Sequence, residues 1–178
     1  IHKPYRGNIF SELLLCNFIS TQTAVIRREA FDSMDRWFDG RLIQTGDYDA
    51  YLRISYRWKV DYVDKPLARY RVHRNSKTWS DGRKLLSVKL DLVIENLRQN
   101  VCGFEDKYPE GARALKRLRD VQLSLLDWEN GDKREARKKI NAYIRDGISY
   151  LILSLLMYFP YRYVYYTCHR MYTKNIIV

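Results

Sequence analysis

Cysteine is scarce. Cys16, Cys102 and Cys168 are the three in 178 residues, and their odd number and wide spacing give neither a disulfide framework nor a metal-ligand pattern. A reducing compartment is the expectation that follows. A membrane-spanning run is missing too. Ile148 to Phe159 is twelve residues without charge and is stopped by Pro160, whereas a helix crossing a bilayer needs ~20 apolar residues. Ile1-His2-Lys3-Pro4 has neither an initiator Met nor the look of a signal peptide, and reads like the middle of something. The chain is therefore expected to be a piece of a longer one. No recognised nucleic-acid-binding module is present, so nucleic acid is not an expected partner despite a net charge of +11.

What is present is a globular composition, 46% hydrophobic and 30% charged, long enough for one domain or one and a half. The charge is unevenly spread: about +5 over residues 1–80, roughly zero over 81–131 and about +6 over 132–178. Much of the aromatic content lies near the end, where Tyr161-Arg162-Tyr163-Val164-Tyr165-Tyr166-Thr167-Cys168-His169-Arg170 mixes tyrosine with basic residues. Such a segment suits a membrane interface. The alternative is a buried core helix at 148–159 followed by a solvated tail.

Along the chain, 11–19 suggests a short helix, Thr21 to Ile26 a strand, and Arg27 to Phe31 another helical turn. Residues 35–46 have no period and read as loop. Asp47 to Ile54 reads as a helix with carboxylates in its first turn, where the helix dipole favours them. Trp58 to Val63 alternate as a strand does, and Leu67 to Val72 form another. Beyond this mixed part the pattern turns helical. Leu86, Leu90, Val93, Ile94 and Leu97 recur at helical spacing, and so do Leu115, Leu118, Val121, Leu125 and Trp128. Asn130-Gly131 ends the second of these helices, and Asp132 with Glu135 forms a capping box for a third. This hairpin occurs once and is no solenoid.

Four segments carry a resemblance. Thr45-Gly46-Asp47-Tyr48-Asp49-Ala50-Tyr51-Leu52-Arg53 resembles the acidic helix start of family 2 glycosyltransferases, usually Glu-Asp-x-Asp-x-x-x-Arg. Val63-Asp64-Lys65-Pro66-Leu67-Ala68-Arg69-Tyr70-Arg71-Val72-His73 resembles the Pro-Leu-x-x-Tyr-Arg-x-His run of that family. Thr23 to Phe31 and Phe38-Asp39 are similar to its wording upstream, and the four pieces keep the family's order over residues 10–80. The resemblance implies an α/β chain: the C-terminal half of a GT-A, Rossmann-like domain, followed by an α-helical extension. It further implies an inverting transfer from a nucleotide-diphosphate sugar to a hydroxyl, as in bacterial-type surface polysaccharide synthesis.

That chemistry needs a carboxylate to take the acceptor's proton, and by position in the motif this is Asp47. The alternative is a carboxylate that only stabilises the helix dipole. The resemblance also implies a divalent cation, Mg or Mn, to absorb the charge of the departing diphosphate. His73 matches a position that helps hold metal or diphosphate in some relatives, though a structural histidine at a strand end fits as well. Arg71 has a guanidinium shaped for the donor diphosphate. Trp37 and Phe38 lie in the loop before Asp47, where aromatics stack on an acceptor sugar or lie over the core. Asp49 is expected to pair with Arg53 one turn on.

Two departures stand out: Gly46 replaces the usual glutamate, and the nucleotide-binding half with its Asp-x-Asp is missing. By itself the chain is not expected to catalyse transfer. The divisions expected are 1–80, the end of the catalytic domain; 81–147, a helical extension; and 148–178, an apolar and basic aromatic tail. The partners implied are a nucleotide-sugar donor and a glycan or lipid-linked acceptor, met in the cytoplasm at the membrane's inner face. An alternative is a degenerate transferase acting as an interaction module.

Overall fold

The computed structural model describes residues 5–42, 45–69 and 82–164, with side chains from 89 onward in the last stretch. The described chain is built from helices: α1 (Phe10–Leu15), α2 (Arg28–Asp32), α3 (Gly46–Arg57), α4 (Gly82–Asn100), α5 (Phe104–Lys107), α6 (Pro109–Glu129), α7 (Lys133–Asn141) and α8 (Ile148–Leu156). Short 3-10 turns lie at Thr21–Thr23 and Ile144–Asp146. No strand or sheet is formed among the described residues, and this overturns the expected α/β, Rossmann-like GT-A fold.

The reason is visible at the segments expected to be strands. Thr21 opens a 3-10 turn in which Thr23 N–H donates to the Ser20 carbonyl at 2.9 Å. In Trp58 to Val63 only Val60 forms a β-bridge among the described residues. It exchanges both backbone hydrogen bonds with Gly7, at 2.7 and 2.9 Å, as one isolated antiparallel bridge. A period-two pattern predicts extended backbone, but a strand exists only where a neighbouring chain continues the ladder. The expected strand from Leu67 to Val72 is irregular as far as Arg69, and its remainder lies outside the described residues.

The chain divides into two compact units, Ile1–Lys116 and Arg117–Val178. In the first, α1 packs on α3, and α3 on α4. Their facing apolar residues, with Leu13, Leu52, Val93 and Leu97 among them, form one core together with Phe104 of α5. Each fully buried side chain of this kind contributes ~1.5–3 kcal/mol. Gly111, in the first turns of α6, lies against Leu14: a Cβ there would come within 2.6 Å of Leu14 Cδ1 and 2.8 Å of its Cβ.

The second unit packs α7 against α8 around Trp128, Ala136, Ile140 and Met157. Asp132 caps α7, its side chain accepting from Glu135 N–H at 3.1 Å. Gly131, at φ +93°, makes the left-handed turn that ends the preceding helix. Trp128 Nε1 donates to the Phe159 carbonyl at 2.9 Å. No helix among the described residues is long and apolar enough to cross a membrane.

Candidate functional site

The first turn of α3 gathers the acidic residues singled out in the sequence. Asp47 is half-buried, and both of its carboxylate oxygens are engaged. Oδ1 accepts the Tyr48 backbone N–H at 2.8 Å, satisfying one of the donors that a helix N-terminus leaves unpaired. Oδ2 accepts the hydroxyl of Thr21. Tyr51 lies one turn on from Asp47. Burial pushes its phenol up, a hydrogen bond with Thr21 pulls the other way, and the charge of Asp47 adds to the rise. Thr21, Asp47 and Tyr51 thus form a polar cluster across α3 and the 3-10 turn. Tyr51 stands four residues from Asp47 and was readable from helical spacing. Thr21 lies 26 residues away and gave no such signal.

Asp49 faces inward and forms the pair expected with Arg53. The two side chains are 1% and 4% exposed and approach to 2.8 Å. Arg53 spends its remaining donors on the loop before α3, giving Nη1–H to the Arg36 carbonyl at 2.7 Å and Nη2–H to the Trp37 carbonyl at 3.0 Å. Asn96 of α4 donates Nδ2–H to Asp49 at 2.9 Å and to Asp39 at 3.2 Å, and its carbonyl oxygen accepts from Arg36 at 2.7 Å. Arg41 closes the network with a two-pronged contact to Asp39. The Arg41 hydrogen bonds hold the Asp39 carboxyl well below the usual carboxylate range against the opposing effect of burial, with Asn96 and Arg36 helping. A buried ion pair lasts only when its remaining lone pairs and protons are also satisfied, and here Asn96 and two backbone carbonyls do that.

Trp37 and Phe38 are exposed in the loop, with ring centroids 5.1 and 5.8 Å from that of Phe31. The Arg28 guanidinium sits over the Trp37 ring at 4.6 Å. Arg71 and His73 lie outside the described residues. Gly46 is buried, and a Cβ there would meet only Leu42 Cβ, at 3.8 Å.

No family model matches the chain, and no characterised protein or solved structure matches it. Among the described residues no three His, Cys, Asp or Glu side chains are grouped to hold a metal ion. The carboxylates nearest to Asp47 in sequence, Asp39 and Asp49, are committed to guanidinium and amide donors. His73, the residue that the resemblance assigns to the divalent cation, lies outside the described residues, and no step is drawn through a cation.

Proposed function

We propose that this chain carries the general base of a sugar transferase, and that the base is Asp47. The acceptor hydroxyl oxygen forms a bond to the anomeric carbon as that carbon's bond to the diphosphate breaks. The nucleotide diphosphate leaves with the bonding pair, and the hydroxyl proton passes to the Asp47 carboxylate. The observation that carries this reading is the half-buried carboxylate in the first turn of α3 within the Asp-x-Asp-x-x-x-Arg spelling, held from two sides by Tyr48 N–H and Thr21 Oγ1. A base fixed in this way needs little reorganisation when the proton arrives. Trp37 and Phe38 are the proposed acceptor contacts, being exposed aromatics on the loop that Arg53 ties to the same helix. Arg71 and His73 keep their proposed roles toward the donor diphosphate and its metal on the resemblance alone. The donor is a nucleotide sugar and the acceptor a glycan or a lipid-linked glycan, met at the inner face of the membrane.

A second reading, a transferase relative kept as an interaction module, is favoured by one contact. The Thr21 hydroxyl already occupies Oδ2 of Asp47, and an acceptor would have to displace it or use the other oxygen.

The test is turnover of a panel of nucleotide sugars by the full-length natural protein with Mg or Mn supplied. One donor is turned over, and Asp47→Asn lowers its rate by about 10²–10⁴-fold while donor binding persists. A near-normal rate in Asp47→Asn removes Asp47 as the base. Folded protein that turns over no donor favours the interaction module.

A further inference from the structure

Helix α8 has two apolar faces. Tyr150, Leu153, Leu156 and the following Met157 point into the core of the second unit. Ile148, Leu151, Ile152 and Leu155 follow at the spacing of the opposite face and are 40–74% exposed. A helix apolar all round normally belongs inside a protein or a membrane, so this outer face lacks a partner among the described residues. Tyr158 and Phe159 continue it, also exposed.

Beside this ridge lies a hollow of about 560 Å³ lined by Lys133, Arg134, Arg137, Lys138, Asn141 and Tyr158. Four of these six residues are cationic. The carboxylate close to them, Glu135, reaches Lys138 at 3.8 Å, and Asp132 is spent on capping α7. Tyr158 joins hollow to ridge. The Arg137 guanidinium lies 3.6 Å over its ring, and Lys133 Nζ donates to its carbonyl at 2.9 Å. Arg137 Nε is buried and meets no acceptor among the described residues.

We infer that the second unit docks onto a membrane rich in anionic phospholipid, the apolar ridge of α8 entering the acyl boundary and the α7 hollow receiving a lipid phosphate. Two features select this occupant over an apolar partner or a second copy of the chain. The hollow sets four cations against the neighbouring carboxylate of Glu135, so a second copy facing it would set cation against cation. Its charge also adjoins an apolar face, the pairing of signals that interfacial attachment uses. The inference rests on the membrane location proposed above and is independent of Asp47.

The experiment is co-sedimentation of the full-length protein with phosphatidylcholine vesicles, with and without phosphatidylglycerol, across a salt series. Arg134→Gln with Lys138→Gln, both exposed, should weaken anionic-vesicle binding by ~25-fold, at roughly fivefold per basic residue. Ile152→Ser with Leu155→Ser should weaken it by on the order of tenfold or more. Circular dichroism checks that each variant is folded. If both variants bind as wild type does, this surface is overturned and the membrane location stands. If the wild type ignores anionic vesicles, both fall. If millimolar inorganic phosphate abolishes binding while the ridge variant is unaffected, the hollow takes a soluble anion, and the docking surface is overturned. Self-association lost in the ridge variant, without vesicle binding, gives the face to a second copy.

Discussion

Asp39 is 5% exposed and yet fully charged, because Arg41, Asn96 and Arg36 surround it. Its carboxyl binds protons less readily in the folded chain than in the unfolded one, where it has the ordinary value of about 4. The stability this contributes is therefore fully present above about pH 4 and is lost as pH falls below that toward the lowered folded value. Urea midpoints measured between pH 6 and pH 2 should fall steeply below about pH 4, and Asp39→Asn should flatten that fall. An unchanged pH profile in the variant would mean that other carboxylates govern acid unfolding. Residue-scale contacts were legible only when local. The pair of Asp49 with Arg53 follows from a four-residue helical spacing. Asn96 reaches Asp49 from 47 positions away, and nothing in its own neighbourhood marks it as the amide that bridges two buried carboxylates.

Helices were the elements read best. The apolar spacing from Leu86 to Leu97 and from Leu115 to Trp128 predicts α4 and α6, and Asp132 sits at the N-cap of α7 as expected. A helix satisfies its own backbone, so its signal is contained in a short window. A strand depends on a partner elsewhere, which is why the alternating residues from Trp58 to Val63 yield one bridge and no ladder. Close approaches between elements are equally hidden. The Gly111 seat for Leu14 could not be foreseen, because a lone glycine in a helical window reads only as a weak point. Gly111→Ala should improve local helix propensity and still destabilise the protein, by about 1–3 kcal/mol, because the added methyl collides with Leu14 from its Cβ outward. Chemical denaturation measures this, and a variant as stable as wild type would show that α1 shifts freely to make room.

At the scale of the whole molecule, each of the two compact units has its own apolar core. The family resemblance was carried by motifs within residues 10–80, which describe chemistry and local turns. The layered α/β fold was inferred by analogy from those motifs, and the helical chain shows how little of a global architecture such stretches specify. In the second unit, Ile140 is fully buried beside Trp128 and Met157. Ile140→Ala should cost about 2–5 kcal/mol and speed amide exchange through α7 and α8 as a group, as expected of a cooperative unit with its own core. Exchange that speeds only within a turn of Ile140 would argue against that cooperativity.

Arg53 grips the loop before α3 by the carbonyl oxygens of Arg36 and Trp37. A backbone oxygen is the same whatever residue carries it. The loop's path is thus secured without reference to the side chains at 37 and 38, and these positions are free to diverge. Over evolutionary time, or in a directed library, this is where new side chains can be tried on an exposed loop while the scaffold beneath is left undisturbed.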